Sequence, residues 1–182
     1  SRLLHAIAAT GHTESIGFIK TIVETEKEVE LVIAGLEAIV KTQEKPQARE
    51  FLAKQLHRHE ADLINAVLHL CYEWDITPPV EPLVKILEVD FDLIDGRSVY
   101  YCVRFLSKIK DRSTVDLLIK LLDNDLSDDF IQLIIEAVDE IIKPVSLKDY
   151  VASLPTLLDG VYAAGVQKVM DYLAEKNQEE KS

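Results

Sequence analysis

The sequence predicts an all-α fold, a right-handed α-solenoid of about five helix pairs preceded by a lone helix. Three observations carry that prediction. Apolar residues recur at helical spacing along almost the whole chain, with no alternating strand pattern between them. One kind of segment also recurs. With Leu106 placed on a column with Ile7, Leu36, Leu68, Val138 and Met170, the segments AIAATG, GLEAIVKT, VLHLCYEW, FLSKIKD, AVDEIIK and VMDYLAEK align, at spacings of 29, 32, 38, 32 and 32 residues. Shorter segments align among themselves, FIKTIVE, FLAKQLH, LVKILEV and LLIKLLD, and each precedes a longer partner across a polar turn. A near-constant period of this size marks an array in which each unit buries its apolar face against its neighbours. The chain, 1–182, thus reads as one repeat domain with units at 13–43, 46–74, 79–110, 113–143 and 146–177. Such an array is expected to be elongated, since each unit touches only the next.

Element by element, Leu3–Ala9 reads as the tail of a helix closed by Gly11, whose missing side chain suits the left-handed position after a helix. Thr13 then caps Glu14–Thr25, where Ile16, Ile19, Ile22 and Val23 form a stripe. Glu26–Thr42 follows, with Val29, Val32, Ile33, Leu36, Ile39 and Val40 inward. Pro46 suits the first turn of a short helix, Gln47–His57, whose longer partner is Glu60–Trp74. Thr77-Pro78-Pro79 breaks the chain, because a residue before proline avoids the helical region. Val80–Val89 is the next short helix, and Asp90–Gly96 is the irregular insertion that stretches one spacing to 38. Arg97–Lys110, Ser113–Leu122 and Ser127–Lys143 come next, and Pro144 stops the last of these. Ser146 starts another helix, interrupted by Pro155, and Gly160–Lys176 closes the array before a polar tail. The segment SVYYCVRFL is strand-like in composition, yet Val99, Cys102, Leu106 and Ile109 fall on one helical stripe, so a helix is predicted.

Bulk properties narrow the classes. Hydrophobic residues make up 48% of the 182, too many for a disordered chain. No run reaches the ~20 apolar residues of a membrane span. The opening SRLLHAIAA is too short and too broken by His5 to act as a signal peptide, and without an initiating Met a processed form or fragment is expected. Thirty-two acidic against 20 basic side chains leave a net charge of −12, which repels nucleic acid and anionic lipid. Cys71 and Cys102 fall on apolar helix faces in different units and read as buried free thiols, which suits a cytoplasmic protein.

The pattern resembles the HEAT/armadillo class of helical repeats over nearly the whole chain. The anchors carry the resemblance, with Ala34, Ala66, Val103 and Ile134 before them and partial turn signatures in RHEA at 58–61 and GRSV at 96–99. It implies a scaffold or adaptor that binds a protein or peptide along the inner surface formed by the longer helices. An alternative is a helical-repeat enzyme, either a metal-dependent hydroxylase or a protein like the bilin lyases. The metal reading rests on His57-Arg58-His59-Glu60, because deoxyhypusine hydroxylase gathers His-Glu pairs from several inner helices around two irons. Here His59-Glu60 alone matches; the equivalent places read Lys27-Glu28, Arg97-Ser98, Asp129-Phe130 and Val161-Tyr162. No catalytic residues, metal ligands or cofactor are assigned. Neither cysteine sits by a base on its own helix face, and the six glycines are scattered singly, with no phosphate loop.

The candidate partner-binding residues are Arg97, Tyr101, Arg104, Lys108, Asp129, Glu136, Glu140 and Lys168. All but Tyr101 recur at fixed offsets from the anchors: nine before (Arg97, Asp129), two before (Arg104, Glu136, Lys168) and two after (Lys108, Glu140). Stacked units would bring equivalent positions together, giving either a recognition surface or inter-repeat ion pairs worth ~0–1 kcal/mol each. Tyr72, Trp74, Tyr100 and Tyr101 could anchor a ligand or pack between helices. The excess of acid makes a basic segment the expected partner; nucleic acid and membrane are not expected.

Overall fold

The computed structural model describes residues 2–10, 13–153 and 163–179. The described residues form helices joined by turns, without a strand, so the all-α prediction holds at that level. The chain divides into two compact units, 1–102 and 103–182, with the division inside one helix.

The first unit holds α1 (Arg2–Ala9), α2 (Thr13–Thr25), α3 (Val29–Thr42), α4 (Lys45–Gln55), α5 (Ala61–Glu73) and α6 (Val80–Val89), and it ends within α7 (Gly96–Ile109). Its centre is α3, which packs on α1, α2, α4 and α5. The reason lies in its small residues: Ala34, Gly35 and Ala38 are buried beside Leu36 and Ile39 and let neighbouring helices approach closely. A Cβ on Gly35 would run into the Val23 side chain of α2. Ile19, Val23, Leu36, Leu52, Leu63, Leu68 and Leu83 are essentially inaccessible and form the core.

The second unit continues α7 and adds α8 (Val115–Leu121), α9 (Asp128–Ile142), α10 (Leu147–Ser153) and α11 (Ala163–Glu179). α8 packs on α9 and α11, and α10 bridges α9 and α11. Ser146 and Asp149 cap α10 reciprocally: the Asp149 amide donates to Ser146 Oγ at 3.1 Å and the hydroxyl donates to the carboxylate at 2.7 Å.

Several boundaries move. Glu26–Glu28 lie outside a helix, because the Glu26 carboxylate accepts the Lys27 and Glu28 amides at 2.8 and 3.2 Å and turns the chain before α3. Those amides hold the Glu26 carboxyl below its ordinary value. The short helix expected at Gln47–His57 starts at Lys45, so that Pro46 sits in its first turn, and tightens to a 3₁₀ turn over Leu56–Arg58. His59, Asp75 and Lys110 take the left-handed conformation after helical segments, at φ of 55°, 50° and 60°. Gly11, Pro155, Gly160 and the Thr13 side chain lie outside what the structure describes.

The anchor column is buried at Leu36, Leu68, Leu106 and Val138, all at 0% exposure, while Ile7 is half-buried. Met170 departs from it. It is 48% exposed, and Val169 is the buried residue, so the last helix is read one position out of phase. The cause is the packing of α11 on α8. Gly165, one turn before Val169, sits against the Ile119 carbonyl, and its amide donates to Asp123 Oδ1 at 2.7 Å. That contact sets the rotation of α11, and the sequence stripe does not reveal it.

Candidate functional site

Polar side chains tie each unit together at a repeated sequence separation. In the first unit, Lys54 meets Glu24 at 2.6 Å, His59 Nδ1 meets Asp90 Oδ2 at 2.8 Å, and Lys45 meets Asp75 at 3.6 Å. Arg49 Nε donates to the Thr77 carbonyl at 2.7 Å and Arg58 Nη1 to that of Val23 at 2.8 Å. In the second, Lys110 pairs with Glu140, and Arg112 Nη2 donates to the Ile142 carbonyl at 2.9 Å. All of these ties join residues 28 to 35 positions apart.

The charged column forms differently from its expected pairing. Arg97, Arg104 and Lys108 stand exposed on α7, and Asp129 and Glu136 on α9. Among the described residues no ion pair joins Arg104 to Glu136; Glu136 accepts from its own helix, from Gln132 Nε2 at 2.8 Å. Lys168 reaches neither. Its ammonium donates to the carbonyls of Leu122 and Asn124 at the C-terminal end of α8, where the helix dipole favours a cation. Glu140 is gripped by Lys110 and Lys143, two lysines that the anchor offsets do not select. Lys110 and Lys143 directly follow α7 and α9, and Glu140 stands in the last turn of α9.

Tyr101, expected on the exposed inner face, is buried. Its ring stacks on Tyr72 with centroids 4.5 Å apart, and its hydroxyl lies 3.2 Å from His69 Nδ1. Tyr100 meets both rings edge-on, so the aromatic group is packing between α5 and α7 with Tyr72 at its exposed edge.

The ligands expected of a metal centre are committed elsewhere. His59 Nδ1 faces Asp90, and Glu60 accepts from Arg58 Nε at 3.0 Å. Among the described residues, no three His, Cys, Asp or Glu side chains come together as a metal site. Cys71 and Cys102 are free and buried; burial pushes the Cys71 thiol up to about 12, and burial and the Cys71 thiol push Cys102 higher still. Neither thiolate forms near neutral pH, so iodoacetamide at pH 8 is expected to label neither cysteine in the folded protein and both after urea unfolding. Labelling read by mass spectrometry checks this.

The clearest electrostatic perturbation is at Glu140. Hydrogen bonds from Lys110 and Lys143 draw its carboxyl down to about 2. A depressed carboxyl contributes stability that is present above the ordinary carboxylate range and is lost as the pH falls towards 2. The stability gap between the wild type and Glu140→Gln is therefore expected to be full at pH 6 and to narrow between pH 4 and 2, as measured by urea unfolding at each pH.

Two adjoining clefts open between α9 and α11. One, of about 700 Å³, is lined by Asp128, Ile131, Glu136, Lys168, Tyr172 and Glu175 among others; the second, of about 330 Å³, shares Glu136, Tyr172 and Lys176 with it. Of the candidate partner-binding residues, Glu136 and Lys168 line the larger cleft, together with Asp128, Asp171, Glu175 and Lys176, which the anchor offsets do not select. The available signal was the composition of α9, DDFIQLIIEAVDEII, which holds five carboxylates and no cation. No helix among the described residues is long and apolar enough to cross a membrane. The chain matches no known family profile, and no curated protein or solved structure shows significant similarity to it.

Proposed function

We propose that this chain is a HEAT/armadillo-like right-handed solenoid of about five helix pairs, acting as a cytoplasmic scaffold that binds a protein or peptide. The observation that carries the reading is the separation of 28 to 35 residues shared by the long-range polar ties between Val23 and Lys143; those from α11 to the end of α8 span 42 to 46. Contacts between like positions of successive units in a stacked array have that separation, and a compact bundle has no reason to repeat it. In such an array the longer helices α3, α5, α7, α9 and α11 line one surface. The exposed charges Arg97, Arg104, Lys108, Asp129 and Glu136 then supply a polar recognition face around a scaffold that contributes no chemistry of its own.

The test has two stages. Proteins captured from source-cell extract by the immobilised chain are identified, and the purified candidate is then titrated directly. Reversal at Arg97→Glu with Arg104→Glu is expected to weaken binding at least ~10-fold, about 1.4 kcal/mol, while helicity stays unchanged. Stoichiometric iron or zinc in the purified protein, or the absence of any direct binder, would overturn the scaffold reading.

A further inference from the structure

The geometry points to the His59–Asp90 contact as a latch that holds the insertion 90–95 against the start of α5. This device does not depend on the scaffold reading. Asp90 directly follows α6, and its side chain is only 3% exposed. The carboxylates of the other long-range ion pairs, Glu24, Asp75 and Glu140, are 40%, 72% and 37% exposed. A carboxylate buried as Asp90 is becomes costly unless a partner satisfies it. His59 is that partner. Its Nδ1 donates to Asp90 Oδ2 at 2.8 Å, since a carboxylate can only accept. His59 also holds the left-handed conformation at φ 55°, a position after a helical segment where glycine is favoured. Glycine would serve the turn; the ring serves the buried carboxylate.

The segment so held is the one that stretches the regular spacing to 38 residues. Asp90 anchors it twice. Its carboxylate meets His59, and its carbonyl accepts the Leu93 and Ile94 amides at 2.9 and 3.2 Å. At the far end, the Asp95 amide donates to Asn65 Oδ1 of α5 at 3.3 Å, and the Asp95 carboxylate accepts the Ser98 amide at 2.7 Å. Without the imidazole, the Asp90 carboxylate stays buried only at a cost, and the insertion lifts to bring it into water. Lifting turns out Ile94, which is buried, and Phe91, which is half-buried. They join Val89 and Leu93, already 63% and 61% exposed. The latch therefore governs how much apolar surface the run from Val89 to Ile94 presents.

Hydrogen exchange at single amides of the full chain, read by NMR, tests the latch, with anilinonaphthalene sulfonate fluorescence reporting apolar surface. His59→Gly removes the ring and suits the left-handed backbone, so a residue that served the turn alone would lose nothing. The latch instead requires the Leu93 and Ile94 amides to exchange at least ~10-fold faster, with Leu36 and Ile39 of α3 within ~2-fold of wild type. Dye fluorescence is expected to rise with them. Adding Asp90→Asn to His59→Gly removes the charge that drives the opening, and exchange is expected to slow again by ~3-fold or more. Asp75→Gly makes the same backbone change at φ 50° beside an exposed ion pair, and is expected to leave Leu93 and Ile94 within ~2-fold of wild type. If His59→Gly loses its helical signal, His59→Asn takes its place with the same expectations, because asparagine also tolerates this conformation. Unchanged exchange at Leu93 and Ile94, equal acceleration in α3, or a double variant as fast as His59→Gly would each overturn the inference. So would the same acceleration in Asp75→Gly.

Discussion

Leu106→Ala is expected to destabilise the protein by about 2–5 kcal/mol, the cost of lost burial plus the cavity left behind. Leu106 is fully buried in α7, between Cys102 and Val103 on one side and Ile109 a turn on, on the stripe that turns SVYYCVRFL into a helix. Its removal opens space that stiff β-branched and aromatic neighbours cannot fill by small rotations. Two residues before it, on the opposite face of the helix, Arg104 is exposed, and Arg104→Ala is expected to change stability by less than ~0.5 kcal/mol. Urea unfolding of the two variants side by side is the check. Comparable midpoints would mean that the apolar stripe of α7 does not face the core.

Gly165→Ala is expected to loosen α11 from α8. A Cβ at Gly165 lands well inside van der Waals contact of the Ile119 carbonyl oxygen, and main chain cannot swing aside as a side-chain tip can. Relief requires α11 to lift, which breaks the Gly165 amide bond to Asp123 and draws Lys168 away from the Leu122 and Asn124 carbonyls. Crowding of this kind costs about 1–3 kcal/mol, more than the ~1 kcal/mol that alanine gains over glycine inside a helix. Gly17 supplies the opposite sign. It is a helical glycine with open space where its Cβ would be, so Gly17→Ala is expected to stabilise by about 0.5–1 kcal/mol. Thermal unfolding gives the two signs, and hydrogen exchange should place the Gly165→Ala loss at α11. A neutral or stabilising Gly165→Ala would show that α11 does not rest on the Ile119 carbonyl.

The helices were legible in the sequence because their causes are local. Apolar spacing, Pro78-Pro79, the insertion at Asp90–Gly96 and the capping serine at 146 each act within a turn or two of chain. Leu36, Leu68, Leu106 and Val138 were placed correctly in the core for the same reason, since burial follows the stripe wherever a helix presents a single apolar face. Even the strand-like SVYYCVRFL gave way to its period.

The tertiary structure alone decided which side chains meet. Fixed offsets assume that every unit has the same length and rotation, and neither is constant here. Gly165 rotates α11 by one residue, exposing Met170 and burying Val169, and so moves Lys168 onto the end of α8. Glu140 finds Lys110, which directly follows α7, rather than Lys108 within it. Tyr101 goes inward because Tyr72 offers it a ring to stack on, a contact between residues 29 positions apart. The cleft of α9 and α11 belongs to the same class. The acid of α9 could be read in one dimension; that it lines a cleft with Tyr172 and Glu175 depends on how two helices pack, and no short stretch of sequence encodes that.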